Sequence, residues 1–309
     1  MIEVEHLTKK YGDLVAVDDL SFTVEKGKIW GLLGPNAAGK TTTMRVLTCY
    51  LPATSGKAAV SGFDVFEQPN EIKKIIGYLP EVLPLYTEMT VRAYLQFVAE
   101  IKQVSREKRR TAVGHALDVC GLGDVQNRLV KNISKGYRQR VGIAQALLHD
   151  PQVIILDEPT VGLDPAQIRE IRQLISSLKG EHTIILSTHI LAEVTQTCDG
   201  AVIINDGKLM ASGSLEQLSS SFKGGNDGVH IRLRDSEDRI SELLRKIPGV
   251  ESVSRRQNEY SVEWRYGTSP IDDILKCVVD KGLGIQEMRP MSMSIEDLYL
   301  KIISGGVEQ

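Results

Sequence analysis

The segment Gly34-Pro35-Asn36-Ala37-Ala38-Gly39-Lys40-Thr41 restricts the possible folds more than any other stretch of the chain. It fits the pattern G-x-x-x-x-G-K-[ST], with a short apolar run at 28–33 before it and a helical pattern at about 40–50 after it. A loop of this kind between a strand and a helix aims backbone N–H groups and the positive end of a helix dipole at one point, a receptor for phosphate. Gly34, Pro35, Asn36, Ala37, Ala38 and Gly39 then form the cradle. Lys40 reaches the β- and γ-phosphates, the Thr41 hydroxyl ligates Mg²⁺, and Thr42 adds a phosphate hydrogen bond. The spacing is not that of a G-x-G-x-x-G dinucleotide loop. No Asn-Lys-x-Asp stretch suited to guanine occurs in the chain, so the expected nucleotide is ATP.

A second constellation lies far along the chain. Val153-Ile154-Ile155-Leu156-Asp157-Glu158 reads as a buried strand ending in two carboxylates. Neighbours on a strand point to opposite sides, so the two acids are expected to take different roles. Asp157 holds Mg²⁺, directly or through water. Glu158 faces the γ-phosphate and polarises the attacking water as general base.

Short strands are predicted at 76–79, 153–156, 183–187 and 201–205, with helical patterns between them, which argues for a parallel sheet wrapped by helices. Residues 1–26 alternate apolar and polar, with Ile2, Val4, Leu20, Phe22 and Val24 facing inward and a break near Gly12, as antiparallel strands do. Between about 88 and 150 the pattern is helical without strands (91–101, 107–120 and 136–148), a helical subdomain inserted into the α/β core. A Ser/Gly-rich linker at 218–228 separates a first domain, 1–217, from a small α+β domain, 229–309. The latter reads as a ferredoxin-like βαββαβ unit with a final helix at 295–303, capped by Ser294 and Asp297.

With 309 residues and a net charge of −3, the chain gives no electrostatic reason to bind nucleic acid. The basic clusters at 106–110 and 138–140 read as solvated helix faces. Cys49, Cys120, Cys198 and Cys277 never form a C-x-x-C pair, which fits reduced thiols and a cytosolic protein. The start Met1-Ile2-Glu3-Val4-Glu5 reads as a strand rather than a secretory leader, and the apolar runs are too short to cross a bilayer.

With these pieces in place, the first 215 or so residues resemble the ABC ATPase family. The most diagnostic stretch is Ile133-Ser134-Lys135-Gly136-Tyr137-Arg138-Gln139-Arg140, just upstream of the acid pair, which is similar to the family signature Leu-Ser-Gly-Gly-Gln with its Gln-Arg tail. A Ser and a Gly opening a helix offer a hydroxyl, bare N–H groups and a positive dipole end, a second anion site. The resemblance implies a P-loop NTPase (RecA-like) α/β core with an antiparallel β subdomain and an inserted helical subdomain. It implies that Ser134 and Gly136 close over the γ-phosphate held by a second subunit. By the same resemblance Tyr11 stacks on adenine, Glu81 stands in the metal-contacting loop usually marked by Gln, and Asp164 in Gly162-Leu163-Asp164 lines the dimer seam. His189, after Ser187-Thr188, contacts the γ-phosphate, completing a catalytic set with Glu158 and Lys40.

Three departures from the family pattern stand out. Ala37 replaces a common Gly, and if the backbone there takes positive φ it costs on the order of 1 kcal/mol. Lys135 and Tyr137 replace Gly and Gln of the signature, and Glu81 replaces Gln. With the C-terminal extension, these resemble the ATP-binding subunits of ABC-2-type exporters, a group that includes gliding-motility, multidrug and copper-related proteins. The implied function is an ATPase powering export, with a second copy of the chain and an integral membrane permease as partners. Its implied location is cytoplasmic, on the inner face of the membrane through the permease. The stretch containing Val82, Leu83, Leu85 and Tyr86 is the expected dock for a short permease helix, and the second domain would assist dimerisation or regulation, or be inert. Two other readings are a non-transport ABC ATPase and a nucleotide-dependent regulatory module. Neither a second ATPase unit nor a coiled-coil insertion supports the first, and binding alone would need neither Glu158 nor His189.

Overall fold

The computed structural model describes residues 2–221, 227–234, 240–264, 269–290 and 299. The chain divides into two compact units, Met1–Leu215 and Glu216–Gln309.

The first unit begins with β1 (Ile2–Tyr11), β2 (Leu14–Val24), β3 (Ile29–Leu33), α1 (Lys40–Leu47), β4 (Ser55–Val60), β5 (Phe63–Asp64), α2 (Pro69–Ile75) and β6 (Ile76–Leu79). Three helices follow, α3 (Val91–Ile101), α4 (Arg106–Val119) and α5 (Lys135–Leu147). The core then resumes with β7 (Val153–Asp157), α6 (Pro165–Ser177), β8 (Thr183–Thr188), α7 (Leu191–Thr197), β9 (Gly200–Asn205) and β10 (Lys208–Ser214).

Two sheets carry this unit. An antiparallel sheet runs in the order β2-β1-β4-β5, and a six-stranded sheet runs β10-β9-β3-β8-β7-β6. In the second, β9, β3, β8, β7 and β6 are parallel and β10 is an antiparallel edge. Every residue of β3, β7 and β8 is buried, which is why these strands read as unbroken apolar runs rather than alternating ones. Ile2, Val4, Leu20, Phe22 and Val24 are buried between the sheets with Met44, Val46 and Ile185, forming one core. The register places Leu33 opposite Thr188 and Asp157 opposite Ser187. The residues that follow these positions therefore leave the sheet together at the C-terminal end of its parallel strands.

The helices α3–α5 bury Val91, Tyr94 and Leu95 of α3, Val113 and Leu117 of α4, and Val141 and Ile143 of α5. Arg140 fastens them to the core: its guanidinium donates to Cys120 O at 3.1 Å and pairs with Glu170 of α6 at 2.6 Å.

The structure departs from these expectations at several points. The helix after the phosphate loop ends at Leu47 rather than near residue 50, because Cys49 adopts φ 57°, outside the right-handed helical region. β4 and β10 were not anticipated. They carry Ser55-Gly56-Lys57 and Ser212-Gly213-Ser214, poor strand formers held by pairing with β1 and β9.

A helix, α8 (Leu215–Ser221), occupies the first residues of the expected linker. The second unit contains β11 (Asp227–Leu233), α9 (Ile240–Arg245), β12 (Val250–Arg256), β13 (Glu259–Trp264), α10 (Ile271–Asp280) and β14 (Ile285–Pro290). Its antiparallel sheet has the order β12-β13-β11-β14. Ile231, Tyr260, Val262 and Trp264 of the sheet bury against Ile240 and Leu244 of α9 and Ile274 of α10. The expected final helix and its Ser294–Asp297 cap lie outside the described residues. No helix among the described residues is long and apolar enough to cross a membrane.

Candidate functional site

The Gly34–Thr41 loop joins β3 to α1 at the end of the sheet where β7 and β8 also end. Gly34 N donates to Thr188 O at 3.3 Å, tying the loop to the end of β8. Gly39 takes φ 100°, and a Cβ there would come within 2.5 Å of Ala16 O. Only glycine fits that position. Ala37 has φ 65°, so the strain anticipated for a non-glycine residue is present at this point of the loop.

Lys40 is buried, and its Nζ donates to Gly34 O at 2.8 Å and to Pro35 O at 3.0 Å. The same Nζ lies 3.4 Å from Glu158 Oε1. Glu158 Oε2 lies 3.0 Å from His189 Nδ1. One carboxylate thus joins the phosphate loop to the turn after β8. Glu158 and Lys40 side chains are only 10% and 6% exposed, whereas His189 is 40% exposed. An ionic contact so sheltered from water is stronger than a surface pair.

Asp157 faces a different set of partners. Its Oδ1 accepts from the Thr41 hydroxyl at 3.2 Å and from the Ser187 hydroxyl at 2.6 Å, and Ser187 Oγ in turn accepts from Glu158 N at 2.9 Å. Strand alternation is not what separates the two acids. β7 stops at Asp157, and Glu158 turns away with φ 48°, a left-handed conformation uncommon for a residue with a side chain. Such strain tends to sit at functional positions. Asp157 Oδ2 is buried without a hydrogen-bond partner. An orphaned carboxylate oxygen beside a threonine hydroxyl is a hard oxygen donor set, and these residues fit Mg²⁺. Glu81 is exposed and shares with Asp157 the wall of a cavity of about 540 Å³, which Arg45, Tyr78 and Lys102 also line. Within the stretch expected to dock a partner helix, Val82 is 81% and Tyr86 58% exposed. Leu83 is partly covered and packs on Gly142 of α5.

A second group gathers at the starts of α5 and α6. Ser134 is the N-cap of α5, its hydroxyl accepting from Tyr137 N at 3.3 Å. Gly136 is buried where a Cβ would stand 2.8 Å from Gln167 Cδ, so α5 packs directly on the first turn of α6. Asp164 caps α6 and accepts from Ala166 N at 3.0 Å and Gln167 N at 2.9 Å. Asn36 is exposed, Pro35 and Thr42 are partly exposed, and Ala38 is buried. Tyr11, at the end of β1, is 43% exposed, and Lys9 Nζ stands 5.2 Å from its ring centroid.

Sequence reasoning missed Ser187, Thr160 and Glu193. Each is buried: Ser187 bonds to Asp157 and Glu158, Glu193 accepts from Thr188 at the strand end beside His189, and Thr160 donates to Glu193. The one available signal was a polar pair, Ser187-Thr188, closing an otherwise apolar strand.

Comparison with known proteins gives a family for this arrangement. The profile of the ABC transporter family matches residues 17–161. The bacitracin transport ATP-binding protein BcrA of Bacillus licheniformis is 35% identical over 99% of this chain and 98% of its own length. A solved ATP-binding subunit of an ABC transporter superposes with a TM-score of 0.65 at 30% identity, covering 72% of this chain and 93% of that one. The dimeric bacterial ABC transporter cassette MJ0796 superposes with a TM-score of 0.63 at 25% identity, covering 70% and 99%.

Proposed function

Since this chain belongs to the ABC transporter ATP-binding family and is an ATPase, we propose that it powers export through a separate membrane permease, working as a dimer of two copies. The observation that carries this reading is Glu158, whose carboxylate touches Lys40 of the phosphate loop on one side and His189 on the other.

Glu158 accepts the proton of the attacking water, and its neighbours set its direction. Lys40 fixes one oxygen, and His189 stands beside the other where it meets the γ-phosphate. Thr41 and Asp157 would hold Mg²⁺, with Glu81 reaching the metal or its water; the ion supplies charge neutralisation for the transferred phosphoryl group. Tyr11 stacks on the adenine, while Gly34, Pro35, Asn36, Ala37, Ala38, Gly39 and Thr42 hold the phosphates through backbone and hydroxyl donors. Ser134 and Gly136 reach the nucleotide of the second copy, and Asp164 lines the seam between the copies. Closure on ATP and reopening after hydrolysis is the stroke the permease uses.

Three features support export: the similarity to the bacitracin transport protein over almost the whole chain, the Glu81 and Lys135 departures, and the second domain. The second domain assists dimerisation or regulation. The chain itself sits in the cytoplasm against the permease, with Val82 and Tyr86 offering apolar surface for a permease helix. Co-expression with the cognate multi-helix membrane subunit tests this. A stoichiometric complex in detergent that Val82→Glu disrupts, with ATP binding intact, supports the reading. ATPase activity that never associates with such a subunit contradicts it.

A further inference from the structure

We propose that Glu193 is a positioning residue for hydrolysis: its buried carboxylate fastens the turn that carries Glu158 to the turn that carries His189. This rests on the assignment of Glu158 and His189 to the hydrolytic step.

Glu193 lies in the first turn of α7 and is only 4% exposed. A carboxylate that far from water needs strong partners, and both of its oxygens have one. Thr160 donates its hydroxyl to Oε1, and Thr188 donates its own to Oε2 at 2.6 Å. The two threonines belong to different strand ends. Thr160 stands inside the turn closed by Val161 N donating to Glu158 O at 3.2 Å. Thr188 ends β8, and its Oγ1 accepts from Ile190 N at 3.0 Å, a bond that spans His189. The backbone of α7 joins the same unit, because Glu193 N donates to Ile190 O at 3.1 Å.

The result is a closed set of contacts. Glu158 and His189 meet at 3.0 Å through their side chains, and the backbones beneath them meet through Thr160, Glu193 and Thr188. Glu158 has φ 48°, so its turn has no intrinsic preference for the conformation it holds. The anchor at Thr160 is what keeps the carboxylate aimed at His189 and Lys40. Glu193 touches neither nucleotide nor water in this account. It acts through the two groups that do.

Steady-state ATP hydrolysis by the full-length chain tests the proposal, with Glu193→Ala, Glu193→Asp and Glu193→Gln compared against Glu158→Gln. Glu193→Ala is expected to lower kcat about a hundredfold while KM for MgATP stays within about twofold, as for a misaligned rather than a missing catalytic group. Asp, one methylene short of both threonines, fails likewise. Gln keeps the length and recovers part of the rate. The imidazole proton resonance of His189 moves in Glu193→Ala in the same direction as in Glu158→Ala. Where the alanine protein does not fold, Thr188→Val and Thr160→Val remove one donor each at constant volume and are expected to reproduce the kcat loss. A wild-type kcat in these variants overturns the proposal, as does a loss that follows the folded fraction while the His189 resonance stays in place. If Glu158→Gln itself turns over normally, the underlying assignment falls. If Glu158→Gln is inactive and Glu193→Ala is not, only the role given to Glu193 falls.

Discussion

His189 Nδ1 lies 3.0 Å from Glu158 Oε2, so a residue emerging from β8 orients one emerging from β7. Replacing His189 by Ala removes the group that faces Glu158 and that is proposed to meet the γ-phosphate. The expected outcome is a kcat lower by about 10²- to 10³-fold, the range for loss of one group that stabilises developing charge. Affinity for ATP should change little, since the phosphate loop is untouched. Pre-steady-state and steady-state ATPase assays with a fluorescent nucleotide titration measure both.

Ala37→Gly should stabilise the protein. Ala37 has φ 65°, where a Cβ costs about 1–2 kcal/mol. Glycine relieves that strain but frees the unfolded chain, which offsets about 0.4–1 kcal/mol. The net gain expected is about 0.5–1 kcal/mol. Urea unfolding at neutral pH reads it as a higher midpoint at unchanged slope.

Ser134→Ala separates two roles of one hydroxyl. As the N-cap of α5 it accepts from Tyr137 N, and its loss should cost about 1 kcal/mol, a drop in Tm of about 2–4 °C. As the group proposed to cover the second copy's nucleotide, its loss should also prevent ATP-dependent dimerisation. Calorimetry follows the first effect and light scattering with ATP the second. A lower Tm with undiminished dimer would remove Ser134 from the intersubunit role.

His149 sets an acid limb. Burial, with Lys102 nearby, lowers its imidazole to about 4. Its Nε2 donates to Ile76 O at 2.9 Å, and its Nδ1 is buried with no partner to receive a second proton. The unfolded chain takes up that proton near pH 6.5 and the folded chain only near pH 4. Stability is therefore independent of His149 at neutral pH and falls as pH drops through that window. The shift alone corresponds to about 3 kcal/mol, and partial solvent access reduces the expectation to about 2 kcal/mol. His149→Gln should flatten this limb relative to wild type in urea unfolding at stepped pH.

The phosphate loop and the acid pair were legible because both are local: eight and two adjacent residues carry the chemistry, flanked by apolar strands. The signature helix was legible for the same reason, since Ser134 opens it and caps it. Other features depend on neighbours distant in the chain. Glu193 is an unremarkable acid in a short helix until folding places Thr160 and Thr188 against it. Ser187 gains a role only because the register sets it opposite Asp157. The different partners of Asp157 and Glu158 were anticipated, but from strand alternation; the cause is the left-handed turn at Glu158. β4 and β10 escaped because their own residues favour strands weakly, and pairing with β1 and β9 supplies the preference.

ATP turnover by Glu158→Gln, measured together with nucleotide binding and dimer formation, tests the central assignment most directly. The amide keeps the shape and removes the proposed base. The expected result is intact MgATP binding, an accumulated ATP-bound dimer, and turnover reduced at least about a hundredfold. Turnover close to wild type would contradict the account.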